Sequence, residues 1–275
     1  MSGREEIARH YAEVARAAAE TGCDAGRAEC CCGDETGSEA ARLYADDILA
    51  GIPAAVRSAS RGCGDPVALA DLKPGERVLD LGSGGGIDAL IAARLVGPAG
   101  FVHGLDMVPE MVELARKGAV EAGIDNVAFI EGDIADIPLP DASVDVVISN
   151  CVINLCEDKA AVFKEVRRIL APGGRMVVSD IVAFKPLPAD AYEPLCTVTG
   201  CRNGIPDAEL YRAMLLDCGF DDAVLEPKTR YTYEVLEEKA RRKHHEEALP
   251  AIARCEAGGL TGSVIVRASV YGGAR

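Results

Sequence analysis

The chain has 275 residues, 49% of them hydrophobic and 27% charged, a balance that fits a folded domain with a sizeable core. Its net charge of −15 argues against a nucleic-acid partner, because phosphate contacts need Lys and Arg. No run of 18 apolar residues occurs, and the N-terminus "MSGREEIARHYAEVARAAAE" lacks the apolar core of a secretion signal. No membrane partner and a cytoplasmic location are therefore expected.

In chain order, residues 4–20 read as an amphipathic helix and 21–42 as a mobile, polar, Cys-rich loop. From "LKPGERVLDLGSGGG" onward, short apolar runs alternate with helical patterns. Strands are predicted at Val78–Leu81, Phe101–Leu105, Val127–Ile130, Val144–Ser149 and Arg175–Ile181. Helices are predicted at Ile87–Leu95, at Pro109–Ala122 with Pro in the first turn, and at Asp158–Leu170, stopped by "APGG". This rhythm predicts an α/β fold, a mostly parallel sheet with helices on both faces. Residues 186–205 read as a lid or insertion over the sheet's carboxyl edge. A helix at Asp207–Cys218 follows, then strands at Ala223–Tyr231 and Ser263–Val270 around one polar helix, "EVLEEKARRKHHEEALPAI". The expected divisions are an N-terminal helix and Cys-bearing extension (1–70), a core (71–185) and a C-terminal part with a Cys-bearing lid and the last strands (186–275).

"VLDLGSGGG" places Asp80, then Gly82, Ser83, Gly84 and Gly86, where the first strand meets the first helix. Glycines there permit a tight turn and close approach of a ligand. The dinucleotide fingerprint G-x-G-x-x-G fails, since the last position counted from Gly82 is Ile87. Asp80 would repel a diphosphate and attract a cation. Asp106 in "GLDM" stands about 20 residues past the glycines, where an acid holds ribose hydroxyls. Met107 is placed to lie against an adenine, and Asp133 in "EGDIADIPLP" follows the third strand. Together these resemble motif I and its partners in the Rossmann-like class I methyltransferases that use S-adenosylmethionine. The resemblance implies a seven-stranded sheet, with cofactor contacts from Asp80, Gly82, Ser83, Gly84, Asp106, Met107, Asp133, Ile134 and Asn150.

Eleven cysteines are many for a chain in a reducing compartment, and an odd number is a poor disulfide framework. Cys218 and Cys255 suit packing roles, and Cys156 reads as a packing or loop thiol. Cys30, Cys31 and Cys32 lie together in a polar stretch and do not. After the fourth strand, "SNCVINL" offers Asn150 and Cys151 rather than a general base, and His10, His103, His244 and His245 read as surface or core filler. An acceptor with a free lone pair needs no base. Trivalent arsenic is one, and it prefers thiolate sulfur to oxygen.

The segment from Tyr44 to Ile181, with "GCGDPVALA", "LDMVPEM", "SNCVINL" and the later "GCRNG", resembles the arsenite S-adenosylmethionine methyltransferase family. The resemblance implies that Cys151 and Cys201 hold arsenic directly, with Cys63 as a further thiol. Cys196 is the rival to Cys201. Cys63 and Cys31, with Cys30 or Cys32 as alternatives, are implied in arsenic capture or in a disulfide formed during turnover. The expected partners are arsenite or methylated trivalent arsenicals and a thioredoxin- or glutathione-type reductant. The C-terminal part would carry an arsenic-binding insertion. Two rivals share parts of this pattern. A C- or O-methyltransferase of the quinone-biosynthesis type would share the core but not the thiols. A non-catalytic zinc- or metalloid-binding protein would share the thiols but not the cofactor site, and C-x-x-C pairs are lacking.

Overall fold

The computed structural model of the protein describes residues 3–21, 43–62, 64–242, 244–254 and 259–272. Its centre is a seven-stranded sheet in the order β3-β2-β1-β4-β5-β7-β6. The strands are β1 (Arg77–Leu81), β2 (Phe101–Asp106), β3 (Val127–Glu131), β4 (Val144–Asn150), β5 (Leu170–Ala183), β6 (Asp222–Arg230) and β7 (Thr261–Ser269). Only β7 runs against the others, paired antiparallel with both β5 and β6. The chain winds outward from β1 through β2 to β3, then returns to lay β4 on the opposite side of β1. That reversal opens a crevice at the carboxyl ends of β1 and β4, where ligands of such sheets collect.

Alternation along β1 explains the layers. Val78 faces one apolar cluster with α5 (Ile87–Val96) and α6 (Pro109–Ala122); Leu79 and Leu81 face another with α7 (Lys159–Ile169) and α9 (Ala208–Asp217). Asp80 therefore points with Val78 toward the α5 side, an acid on an apolar face. Helix α1 (Gly3–Thr21) covers the open end of the crevice, with Ala12, Ala15 and Ala18 buried against Val108, Met111 and Leu114. Short helices α2 (Asp46–Leu49), α3 (Ala54–Ala59) and α4 (Pro66–Leu69) precede β1; the sequence pattern did not signal them, being too short for a helical period.

A third apolar cluster stands over the end of β5. It joins Ile181 and Ala183 to α8 (Ala189–Thr199), α10 (Tyr233–Arg242) and α11 (Leu249–Arg254). One expectation is corrected in this part. The polar helix expected as one piece is broken at His244, whose φ of 56° leaves the helical region while His245 N–H closes on the Ala240 carbonyl at 2.8 Å. Helix α7 stops at Ile169, ahead of "APGG" as expected, and that segment lies within the span of β5, where pairing to β4 shifts register between Val144 and Val146. No helix among the described residues is long and apolar enough to cross a membrane.

Candidate active site at the carboxyl edge of the sheet

The glycine turn is fixed by the sheet itself. Gly82 and Ser83 N–H groups donate to the Leu105 carbonyl at 2.7 and 3.0 Å, tying the end of β1 to β2. Gly82 has φ 65° and a Cβ there would stand 2.4 Å from Val152; Gly86 has φ 91° and a Cβ would meet Phe129 at 2.8 Å. Side chains are excluded at both by conformation and by space. The turn borders a cavity of about 440 Å³, within the size range of small-molecule sites.

Most of the residues expected to hold a cofactor meet at this cavity. Gly82, Ser83 and Gly84 form its floor, Asp106 and Met107 one wall, Asp133 and Ile134 the next, and Asn150 and Cys151 the end beyond β4. Asp106 accepts from the Gly84 and Val108 N–H groups at 2.8 and 2.9 Å, so it braces the turn against the start of α6. Burial raises its pKa, while these amides and that of Met107 pull the other way. Asp133 accepts from Ala135 N–H at 2.9 Å and pairs with the Arg4 guanidinium of α1 at 2.6 Å. Arg4, Ile7 and Tyr11 thus make α1 the roof of the cavity.

Asp80 is the exception. It is 2% exposed, lies beneath the turn rather than on the cavity wall, and its Oδ2 meets no donor among the described residues. Burial, reinforced by Asp88 and Asp106, pushes its carboxyl well above the usual range. Asp88, in the first turn of α5, lines the cavity where Asp80 does not, and sequence reasoning missed it. It accepts from the Tyr44 hydroxyl at 2.6 Å and from Asn150 Nδ2 at 3.2 Å, and burial raises its pKa to about 6. Asn150 also donates to the Gly64 carbonyl at 2.7 Å and accepts from Gly64 N–H at 3.2 Å. One amide therefore holds the α4 approach, α5 and the end of β4 together.

The thiols divide into three sets. Cys23, Cys30, Cys31, Cys32, Cys63 and Cys255 lie outside the described residues. Cys151 is disulfide-bonded, and its backbone has φ 60°, a left-handed conformation costly for a residue with a Cβ and typical of functional sites. Cys156, Cys196, Cys201 and Cys218 are free thiols. The Cys201 loop is stitched onto the turn after β4. Asn203 donates to the Leu155 carbonyl at 2.6 Å and its N–H to the Asn154 carbonyl at 3.2 Å. Lys159 Nζ donates to the carbonyls of Cys156 and Asn203, both at 3.1 Å. Asn154 Nδ2 lies 3.7 Å from Cys201 Sγ. Cys201 itself is 3% exposed, and burial pushes its thiol up to about 12. Its rival Cys196 lines a separate shallow cavity with Tyr192 and Arg202. Cys156, read from sequence as a packing or loop thiol, borders the main cavity, and burial pushes it up to about 11.

A methyltransferase-domain family model matches residues 72–237. An arsenic(III) S-adenosylmethionine methyltransferase from Chlamydomonas reinhardtii is 31% identical, with a TM-score of 0.63 over 86% of this chain and 74% of its own. The chain belongs to the arsenite methyltransferase family. The Rossmann-like expectation holds, and so does the expectation that the cofactor is S-adenosylmethionine. The arsenite methyltransferase of Halobacterium salinarum is 41% identical over 236 residues, 83% of this chain and 60% of that protein. The mouse arsenite methyltransferase is 38% identical over 158 residues, 54% of this chain and 41% of that protein. The chain thus spans less than two thirds of the length of these two relatives.

Proposed function

We propose that this protein transfers methyl groups from S-adenosylmethionine to trivalent arsenic held by the thiolates of Cys151 and Cys201, with Cys63 as a further thiol. The observation that carries the reading is the stitching of the Cys201 loop onto the Cys151 turn at the far end of the cofactor cavity, by Asn203, Lys159 and Asn154. Segments about 50 residues apart in sequence are tied at one place by these polar contacts, while Cys201 itself packs in the apolar cluster over the end of β5.

The cofactor fits the residues present. The glycine turn admits no Cβ at Gly82 or Gly86, and Ser83 Oγ on the floor is a buried hydroxyl with no partner among the described residues. Asp106 would hold the ribose and Asp133 the adenine amino group. When bound, S-adenosylmethionine supplies an activated methyl group on a positively charged sulfur. Asp88, held in place by Asn150, would offer its carboxyl to that charge from the cavity lining. The Cys151 and Cys201 sulfurs hold arsenic with its lone pair free, so no general base is required. Capture exchanges As–O for As–S bonds; each thiol proton leaves with a hydroxyl as water.

Methylation raises arsenic formally from the trivalent to the pentavalent state. Two electrons from a pair of thiols return it, leaving a disulfide. The disulfide at Cys151 suits that oxidised form. Cys63 is proposed as its partner, since Gly62 and Gly64 on either side approach Asn150, the neighbour of Cys151. One of Cys30, Cys31 and Cys32 is proposed to relay electrons from a thioredoxin- or glutathione-type reductant.

The test is to incubate the reduced protein with S-adenosylmethionine and arsenite and to separate the arsenic species. Methylated arsenicals are expected, and Cys151→Ser should abolish them while cofactor binding stays near normal. Arsenite retained without product would make the protein a sequestering one. Methylation of a quinol precursor with indifference to arsenite would make it a carbon or oxygen methyltransferase.

A further inference from the structure

Beneath the thiols lies a side chain that the reaction above does not use. Asn154 sits in the 3₁₀ turn Ile153–Leu155 and is 2% exposed. Its Nδ2 donates to the Ile181 carbonyl of β5 at 2.7 Å and lies 3.7 Å from Cys201 Sγ. A carbonyl only accepts, so the Ile181 contact fixes which end of the amide is nitrogen. The second N–H is thereby committed to the sulfur. The amide oxygen is left buried with no donor among the described residues. Buried polar groups in folded proteins nearly always have partners, so an orphan acceptor beside a thiol points to a donor that arrives with a ligand.

Ile181 is itself anchored. Its N–H donates to Asp180 Oδ1 at 2.9 Å, and Asp180 Oδ2 accepts from the Tyr211 hydroxyl at 3.3 Å. The amide therefore hangs from a rigid strand rather than from the surface turn alone. Resting on the arsenic reading above, we propose that Asn154 is a positioning residue for arsenic capture: its N–H orients the Cys201 sulfur and its oxygen receives a hydroxyl borne by the trivalent arsenic acid. The S–As bond forms as one As–O bond breaks, the thiol proton leaves with that hydroxyl as water, and a remaining hydroxyl donates to the amide oxygen. Arsenic stays trivalent throughout, so no oxidant or reductant enters this step. The N–H also favours thiolate at a sulfur that burial otherwise keeps protonated.

The experiment measures three quantities on reduced full-length protein: arsenite retained in the presence of S-adenosylhomocysteine, the KM for arsenite and kcat, and S-adenosylmethionine affinity. Asn154→Leu keeps the shape and removes both polar ends. Its KM for arsenite should rise about tenfold to hundredfold, the range of one hydrogen bond to a charged group, with cofactor affinity within about twofold. Asn154→Asp, the second variant if the first fails to fold, keeps an oxygen and loses both N–H groups, and should show the same split. An unchanged arsenite KM, or a loss of cofactor affinity in step with it, overturns the assignment and leaves Asn154 as a brace between turn and strand. Wild-type protein that retains no arsenite overturns both this inference and the arsenic reading. Wild-type protein that methylates arsenite with KM unmoved in both variants overturns this inference alone.

Discussion

Asp88 shows how one side chain is tuned by contacts from distant parts of the chain. Tyr44 and Asn150 donate to its two oxygens, and both favour the charged form, but burial outweighs them and leaves the carboxyl at about 6. Asp65 and the still more strongly raised Asp80 are its acidic neighbours. Above about pH 6 Asp88 gains its negative charge, which on the reading proposed above would attract a sulfonium. The affinity for S-adenosylmethionine relative to uncharged-sulfur S-adenosylhomocysteine should therefore rise between pH 5 and about 7. Asp88→Asn should flatten that ratio, as titration calorimetry with both ligands would show; a ratio independent of pH in the wild type would remove Asp88 from the cofactor's charge. This residue was illegible in the sequence because its partners lie 44 and 62 positions away, and a lone acid in "GGIDAL" reads as a helix first-turn residue. Asp106 and Asp133 were legible because each directly ends or follows a strand, where the parallel sheet puts ligands whatever the packing. Asp80 was legible as part of the glycine motif, but not that strand alternation turns it beneath the floor.

At the scale of elements, the α5–α6 side of the sheet and helix α1 enclose the cavity through small residues. Gly86 permits α5 to start against Phe129 and Ala115. Gly86→Ala would force a Cβ into a position 2.8 Å from Phe129 at a φ of 91°, so it should destabilise the fold by about 2 kcal/mol or more, read by denaturant melts, and weaken cofactor binding. Helix α1 uses Ala12, Ala15 and Ala18 to lie close on Met111 and Leu114, while Arg4 bonds Asp133 and Glu6 bonds Arg202 beside Cys201. These ion pairs are exposed and hold little energy each, so the apolar stripe is what docks the helix. Ala15→Asp places a charge in that stripe. It should raise the dissociation rate of S-adenosylmethionine in stopped-flow displacement, while global stability changes less than for Gly86→Ala. The amphipathic stripe of α1 was plain in the sequence because periodicity is a local signal; what it covers was not, since that depends on a partner helix about 100 residues on.

For the whole molecule, the buried acids couple stability to pH. Burial raises Asp180 to about 7, opposed by the Ile181 amide, Lys159 and Tyr211. Between about pH 4 and 7 the unfolded chain would have released this proton while the folded one still binds it, so stability falls as pH rises across that window and levels above it. Asp180→Asn removes the coupling: relative to wild type it should gain more stability at pH 8 than at pH 4, by up to a few kcal/mol, in thermal melts at both pH values. A difference independent of pH would show that Asp180 is charged in the folded state. The doubly wound half of the fold was legible throughout, down to the bounds of α6, because its strands and helices alternate at regular spacing. After Ala183, helix α9 and strands β6 and β7 were legible as well; what was not is how α8, α10 and α11 pack on one another over the end of β5, a cluster without a local period, and it is that cluster which buries Cys201. The same burial gives the account its decisive measurement. X-ray absorption at the arsenic edge, on reduced protein loaded with arsenite, should show a shell of sulfur from at least two thiolates, and Cys201→Ser should exchange one sulfur for oxygen. An unaltered shell in that variant, or oxygen alone in the wild type, would contradict the convergence of Cys151 and Cys201 on one arsenic atom.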